Sequence, residues 1–442
     1  MTHKIYITWL FIGLWSFFSI HVTAQEGIWS GKLELPGNAL TLVFHLNADS
    51  STIDSPDQGV KGILMKRNET TTPNVSFSIP SIGASFAGVW LGRQITGTFT
   101  QQGYNFQLTL TQGVLVRKRP QMPQPPFPYT CEEVTFSNGD ATLKGTLTLP
   151  QNYSPKTPAC ILITGSGLQN RDEEIFEHKP FAVIADAFAR NGIATLRYDD
   201  RGFGESAGNL IKVTTQDLKN DALAGISFLR RRFEQVGALG HSEGGTIALM
   251  LAAEQKTDWV ISLAGMAVLG EKTLLAQNRY LLQKSGYGTQ VTDDYLKALQ
   301  AVFGQLTREE KPVLPDVSAL PDELKNNMQQ VVKTSDTPYL RHFLTLDIAA
   351  ALPRISCRVL ALNGTKDTQV DCQANLSVLG KGLPVPSCCI RACEGLNHLF
   401  QHCNTGAVDE YKDIEETFAP EVLQLMVNWI LHPTPKLPSQ TD

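Results

Sequence analysis

The sequence predicts an α/β fold built on a parallel sheet, preceded by a small all-β domain. Short strand patterns fill residues 25–117, a proline-rich linker follows at 118–130, and from 131 to 442 buried strands alternate with helices. Strands separated by helices favour parallel pairing, because the chain must cross back before the next strand can run in the same direction. The change of pattern after the prolines therefore places a domain boundary there.

Length and charge limit the kinds of protein that this chain can be. Its 442 residues exceed one ordinary hydrophobic core, so more than one domain is expected. The composition is 42% apolar and 18% charged, which is typical of a globular protein. The net charge of −5 and the pI near 6.0 show no excess of basic residues, which argues against nucleic acid as a partner. The pattern specifies no oligomeric state.

The first 24 residues have the form of a secretory signal peptide. Lys4 gives a positive start, residues 5–20 are almost wholly apolar, and Val22, Thr23 and Ala24 provide a cleavage site. The alternative is an uncleaved membrane anchor, because the apolar run is long for a signal. No later stretch is apolar enough to span a membrane, so the mature chain is expected to be exported without a membrane span.

The sequence contains eight cysteines, which could form disulfide bonds or bind a metal ion. In an oxidising compartment some of them can pair, and the sequence does not specify the pairing. Cys389, Cys393, His398, His402 and Cys403 lie close together in the chain, but their spacing matches no standard zinc pattern. We therefore predict neither a metal nor a cofactor.

The region before the prolines alternates between apolar and polar positions in short runs. The alternation is clearest at 41–46 and 106–110. Strands are predicted at 28–35, 39–46, 61–65, 75–79, 85–91, 94–100 and 105–111. Short strands joined by tight turns predict a sandwich or a barrel, and this region carries no catalytic constellation.

The second domain begins with a hairpin and continues as alternating strands and helices. Asn138 and Gly139, between two strand patterns, are a strong hairpin signal. Strands at 160–164, 193–198, 236–240, 259–264, 358–362 and 387–391 alternate with helices at 176–191, 215–232 and 420–431, which is the α/β-hydrolase layout. Residues 267–345 interrupt this order with polar, helix-prone sequence, and we predict a helical cap over the carboxyl edge of the sheet. The alternative is a solvated excursion without contact to substrate.

The stretch 237–245 contains Gly240-x-Ser242-x-Gly244, the form of a nucleophile elbow. An apolar strand precedes it and a helical run follows at 246–253. At such a turn the serine hydroxyl projects free of the sheet, and the glycines leave room where strand and helix backbones approach. Because so short a motif also occurs by chance, an acid and a histidine must follow it in that order.

Both residues are present. Asp367 follows a strongly apolar strand and His398 follows the next strand, which completes the order Ser, Asp, His with Ser242. In this arrangement His398 takes the serine proton, and Asp367 holds the histidine tautomer and stabilises its charged form. Asp371 is the competing acid, but its position at the start of the next helix suits a cap.

Backbone N–H groups near the nucleophile are predicted to stabilise an oxyanion. Glu243 directly follows the nucleophile and opens a helix, so its N–H points toward the developing charge. The loop 164–167 follows the first buried strand of the sheet, and we assign the second N–H to Ser166, with Gly167 as the alternative. Ordinary turn glycines are the other interpretation of this loop. Gly167 and His241 are assigned to substrate binding.

The charged stretch 199–206 admits two interpretations. Paired carboxylates could do acid–base work, but a loop held by an Asp–Arg pair that shapes the pocket from behind fits the pattern better. A supporting role, and not acid–base chemistry, is also the preferred interpretation of Arg171, Asp172, Glu173 and His178.

Together these residues resemble a known family. Residues 131–432 resemble α/β-hydrolases of the serine aminopeptidase and carboxylesterase group, and above all exported bacterial esterases with a separate N-terminal domain. The matching stretches are 164–173, 198–206, 240–245, 362–367 and 395–398. Ser242, Asp367 and His398 match the family's nucleophile, acid and base, whereas Thr164 stands where many relatives have His. The resemblance implies a bacterial enzyme that hydrolyses small acyl esters.

Three functions remain to be compared. The first is a serine carboxylesterase, in which Ser242 forms an acyl-enzyme from a small-molecule ester and water releases the acid. The second is an aminopeptidase-like serine peptidase with the same triad, which needs a charged pocket for a peptide terminus that the sequence does not show. The third is an envelope glycan-binding protein with an inert hydrolase fold, and the complete triad argues against inertness.

Overall fold

The computed structural model describes residues 26–35, 38–47, 50–58, 60–113, 118–384 and 388–432. The predicted signal peptide, residues 1–24, lies outside this part of the chain. The chain forms two compact units, which divide between Val116 and Arg117. Among the helices of the described residues, none is long and apolar enough to cross a membrane.

The first unit is an antiparallel barrel. Within the described residues its strands are β1 (Gly27–Leu35), β2 (Asn38–Leu46), β3 (Ser51–Ser55), β4 (Val60–Arg67), β5 (Asn74–Ile79), β6 (Ala84–Leu91), β7 (Gln94–Gln101) and β8 (Tyr104–Gln112). Each strand pairs with the next, and β8 closes onto β1 where Trp29 meets Gln112. Closure pairs the edge strands with each other, and alternate side chains fill the interior, where Phe44 packs edge-on against Phe77 and Phe86.

The second unit is organised around a mostly parallel sheet. Its strands are β9 (Thr130–Asn138), β10 (Ala141–Leu149), β11 (Ala159–Ile163), β12 (Ala194–Tyr198), β13 (Val236–His241), β14 (Trp259–Leu263), β15 (Arg358–Gly364) and β16 (Cys388–Cys393). Their spatial order is β16-β15-β14-β13-β11-β12-β10-β9. The hairpin β9–β10 joins β12 antiparallel, and β11 to β16 run parallel. The predicted fold class is thereby confirmed.

Helices cover both faces of the centre of this sheet, which explains why β11, β13 and β14 are buried along their whole length. The helices α2 (Thr215–Leu229), α3 (Glu243–Ala253) and α8 (Cys372–Gly382) pack on one face, and α1 (Pro180–Arg190) and α9 (Pro420–Leu431) on the other. In β11, Ile161 and Ile163 join the first core while Cys160 and Leu162 join the second. Successive strand residues point to opposite faces, so a sheet covered on both sides needs a continuous apolar run.

Four helices form the cap between β14 and β15. They are α4 (Gly270–Lys284), α5 (Thr289–Thr307), α6 (Asp322–Thr334) and α7 (Pro338–Leu344). Leu299, Val302 and Leu306 of α5 lie in a separate apolar cluster that holds the cap together. Side chains of α4 and α7 also line the cleft described below, so the cap is part of the candidate site and not a solvated excursion.

The proline-rich residues before β9 lie along the second unit. The guanidinium of Arg119 donates to the backbone carbonyls of Phe176 and Ile414, both at 2.8 Å. The Tyr129 hydroxyl donates to Asp186 of α1, also at 2.8 Å. All eight cysteines belong to the described residues, and no disulfide joins any of them.

Candidate active site

The nucleophile elbow forms where β13 turns into α3. Ser242 sits between them with φ +54° and ψ −121°, a strained backbone conformation that lifts its side chain out of the sheet. Its N–H donates to the carbonyl of Leu263, 2.8 Å away. A Cβ on Gly240 would lie 1.9 Å from the oxygen of Gly244, and one on Gly244 would lie 2.1 Å from that of Ile163. Both glycines are therefore required by close backbone approach.

Asp367 and His398 meet at the same edge of the sheet. His398 Nδ1 and Asp367 Oδ2 are 2.7 Å apart, and both side chains are buried. The other carboxylate oxygen of Asp367 accepts from the N–H groups of Gln369 and Val370, each at 2.8 Å. With Nδ1 engaged by Asp367, the remaining ring nitrogen of His398 is the one available to the Ser242 hydroxyl. Asp371, the competing acid, instead caps α8 by accepting from the N–H of Ala374.

Ser242 and His398 line one cleft of about 310 Å³. Its lining residues are Gly165, Ser166, Gln169, Glu173, Ile175, His241, Ser242, Met266, Leu274, Gln277, Tyr339, Leu340, Phe343, Gln369, His398 and Leu399. The sheet and its loops provide the catalytic floor, and α4 and α7 of the cap provide apolar walls. A substrate in this cleft would lie directly against the serine and the histidine.

The predicted oxyanion groups lie on both sides of the nucleophile. Among the described residues, the N–H groups of Ser166 and Glu243 have no protein acceptor, so both can serve a substrate oxygen. The N–H of Gly165 is unavailable because it donates to Glu173 Oε1 at 2.8 Å. Gly167, with φ +92°, follows Ser166 in the turn but is not among the described residues that line the cleft. The oxyanion assignment and the substrate role of Gly167 stay predictions.

The Glu243 side chain connects the elbow to the cap. It is completely buried, and its carboxylate accepts from the hydroxyl of Thr215 at 2.6 Å and from that of Tyr339 on α7. Burial and the charge of Glu243 raise the pKa of the Tyr339 phenol well above its usual value, so the phenol keeps its proton. A cap residue is thus anchored to the first residue after the nucleophile.

The family model described as "Serine aminopeptidase, S33" matches residues 177–402, just over half of the chain. The chain belongs to this family. The matched segment of this serine aminopeptidase family member contains Ser242, Asp367 and His398, and the resemblance drawn from the sequence motifs is confirmed.

The chain is also similar to individual proteins. Esterase EstD of Thermotoga maritima is 30% identical over 241 residues, which cover 53% of this chain and 53% of that protein. The chain therefore spans about half the length of the curated relative that it matches. Est1E of Butyrivibrio proteoclasticus with bound ferulic acid has a TM-score of 0.43 at 18% identity, over 68% of this chain and 98% of that one. A proline iminopeptidase of Mycobacterium smegmatis has a TM-score of 0.44 at 15% identity, over the same shares.

Thr164, where many members of the family have His, has a defined role in this one. Its hydroxyl donates to Asp200 at the end of β12, with distances of 2.9 and 3.1 Å to the two carboxylate oxygens. Asp200 also accepts from the N–H of Gln169 at 2.8 Å, so it connects the start of the loop 164–167 with a residue just after its end. Burial raises the pKa of Asp200 to about 7, against the opposing effect of these hydrogen bonds.

We expect Asp200→Asn to change the pH dependence of stability. The native state keeps the Asp200 proton up to about pH 7, whereas the unfolded chain releases it at about pH 4. Native protein binds more protons in this window, so its stability falls as the pH rises through it. The difference in free energy of unfolding between the variant and the natural chain should therefore shift by roughly 2–3 kcal/mol in favour of the variant from pH 5 to pH 8. Urea denaturation at both pH values measures this, and an equal difference at both would contradict it.

Two residues of the site lie outside the predicted set. From the sequence, Glu173 is expected to shape the pocket from behind. In the structure Glu173 lines the cleft and accepts a hydrogen bond from the N–H of Gly165. The sequence feature that could have identified Glu173 is its position in the stretch 164–173, which resembles the family. Tyr339 carries no such signal, because its contact with Glu243 joins residues 96 positions apart.

Proposed function

We propose that the protein is an exported serine carboxylesterase that cleaves small, uncharged esters through an acyl-enzyme on Ser242. The proposal depends on one observation above all, the bond between His398 Nδ1 and Asp367 beside Ser242 in a cleft with apolar walls on the cap side. Export depends on the signal-like pattern of residues 1–24.

The reaction follows from the roles of these three side chains. His398 takes the Ser242 proton as the serine oxygen attacks the ester carbonyl, and Asp367 stabilises the imidazolium that forms. The negative oxygen of the tetrahedral intermediate is stabilised by the N–H groups of Ser166 and Glu243. His398 then gives its proton to the leaving alkoxide, which departs as the alcohol. Water, activated by the same histidine, releases the acid and restores the serine.

The cleft walls favour a neutral substrate with an apolar group. The cap contributes Leu274, Leu340 and Phe343, and the elements beneath it add Met266 and Leu399. The polar side chains between them include three uncharged amides, those of Gln169, Gln277 and Gln369. A short acyl or alkyl group buried against such walls loses apolar surface to water, which favours binding, and no charge is needed for recognition.

The residues that line the cleft also argue against aminopeptidase activity. An aminopeptidase must pair the substrate's α-ammonium with an acceptor, usually a carboxylate. Among the described residues lining the cleft, Glu173 carries the carboxylate, and its Oε1 already accepts from His241 at 2.9 Å and from Gly165 at 2.8 Å. The similarity to a protein named as an esterase supports the same choice.

A panel of esters and amides tests this proposal. We expect kcat/KM for p-nitrophenyl acetate and butyrate to exceed that for alanine p-nitroanilide by at least about 100-fold. N-acetylalanine p-nitroanilide is the matched control, because it keeps the amide and removes the ammonium. A strong preference for the free amine over the acetylated amide, with turnover equal to that of the esters, would instead establish a peptidase.

A further inference from the structure

A second buried pair lies beside the triad and is not explained by it. His241, the last residue of β13, has its Nδ1 2.9 Å from Glu173 Oε1 and its Nε2 2.9 Å from the backbone oxygen of His398. The side chains of His241 and Glu173 are only 8% and 4% exposed. The rings of His241 and His398 lie with their centroids 4.6 Å apart. A histidine assigned to substrate binding from the sequence thus has both ring nitrogens engaged by the protein.

The partners of His241 determine its protonation. A backbone carbonyl can only accept, so Nε2 must carry a hydrogen to bond His398. Glu173 Oε1 accepts the Gly165 N–H and also lies 2.9 Å from Nδ1, an arrangement in which Nδ1 donates a second hydrogen to the same oxygen. Burial alone would lower the pKa of His241, but the charge and hydrogen bond of Glu173 outweigh burial and raise it. The contacts at both ring nitrogens and the direction of this shift favour the imidazolium form of His241.

The three bonds of this pair reach three separate segments of the site. Gly165 precedes Ser166, the predicted oxyanion donor in the loop after β11. His241 precedes the nucleophile, and the carbonyl that it bonds belongs to the catalytic base itself. These segments meet only because β11, β13 and β16 end at the same edge of the sheet. One ion pair therefore connects the oxyanion loop, the elbow and the loop of the base.

We propose that Glu173 and His241 form a positioning pair, which fixes the distance between nucleophile, base and oxyanion loop and does not bind substrate. This role depends on the esterase function proposed above. The pair acts through the backbone atoms of its neighbours, so it is needed for a correctly aligned transition state more than for substrate affinity.

The protonation state can be measured without any assay of activity. Ring-nitrogen NMR of the natural chain at pH 8 should show a histidine with both nitrogens protonated. In Glu173→Gln that signal should be lost, because the neutral amide no longer stabilises the imidazolium. A natural chain in which His241 has one protonated nitrogen at pH 8 would overturn the proposal.

Kinetics on p-nitrophenyl butyrate then test the positioning role. We expect Glu173→Gln and His241→Gln to lower kcat about 100-fold and to leave KM nearly unchanged, because a small misplacement of catalytic groups has an effect of this size. Glu174→Gln, the same change one residue further, and His402→Gln, at a surface site bonded to Glu416, are the matched controls and should keep kcat. A raised KM with unchanged kcat would show that the pair binds substrate and would overturn the proposal.

A pH profile separates positioning by charge from simple loss of structure. Glu173, His398 and Asp367 are the titratable groups that face His241. Without the Glu173 charge, His241 should lose its proton at lower pH, so the alkaline limb of kcat/KM should move to lower pH in Glu173→Gln. A uniform loss of activity with the limb unmoved would overturn the role of the charge. A natural chain without esterase activity would overturn the proposed function, whereas the NMR signal tests the pair independently of it.

Discussion

Ser242→Ala is expected to reduce kcat for ester hydrolysis by about 10⁴–10⁶-fold. The serine oxygen forms the acyl-enzyme, and no other hydroxyl can take its place at the tip of the elbow, where φ is +54°. The backbone N–H groups of Ser166 and Glu243 remain in the variant, which leaves a small residual rate from oxyanion stabilisation alone. Hydrolysis of p-nitrophenyl acetate under saturating substrate measures the change.

The matched control for this prediction is Ser227→Ala. Ser227 lies exposed on α2, where its hydroxyl bonds the carbonyl of Leu223, and it is remote from the cleft. This variant should keep the activity of the natural chain and its labelling by a fluorophosphonate, both of which Ser242→Ala should lose. An equal melting temperature for the two variants excludes unfolding as the cause. Retention of more than about 1% of the activity in Ser242→Ala would place the nucleophile elsewhere.

The elbow and the order of the triad are predictable because they are encoded locally. A strand, a glycine-flanked turn and a helix follow one another within a few residues, so the position of Ser242 is specified by its own neighbours. The same holds for Asp367 and His398, each of which closely follows a strand. Because the strands are parallel, their carboxyl ends lie at one edge of the sheet, and the three side chains that follow them meet there.

Other elements escape prediction for physical reasons. The strand β3 (Ser51–Ser55) contains a single large apolar residue, Ile53, so its alternation is too short to recognise, although both neighbouring strands pair with it. The helix α1 begins at Pro180 and not at 176, because Phe176 and Glu177 have positive φ and the proline at the first helical position starts the helix.

The supporting contacts of the site are the least predictable part. Glu173 and His241 are 68 positions apart, and Tyr339 and Glu243 are 96 apart. Neither pair has a spacing or a periodicity that reveals it, since each forms only when separate loops and the cap converge at the sheet edge. Sequence therefore predicts which residues meet at the candidate site better than it predicts which residues hold them in place.

Asp367→Asn is expected to lower kcat about 10⁴-fold with little change in KM. In the natural chain Oδ1 accepts from the N–H groups of Gln369 and Val370, while Oδ2 accepts from His398 Nδ1. An asparagine that keeps its oxygen on the two backbone N–H groups directs its NH₂ toward His398 and toward the amide of Asn363, which donates to Oδ2 at 3.0 Å in the natural chain. The histidine then has to accept at Nδ1 and carry its hydrogen on Nε2, where it can no longer take the Ser242 proton.

The competing acid provides the control for this prediction. Asp371→Asn makes the same chemical change four residues later, at a side chain that caps α8 and accepts from Ala374. Asparagine is as good a cap as aspartate, so this variant should keep nearly full kcat and stability. If Asp371→Asn lost the larger part of the activity, the acid of the triad would be Asp371. Both variants remove one negative charge from the same loop, so their difference measures what the buried Asp367 carboxylate contributes through its own contacts, with His398 first among them.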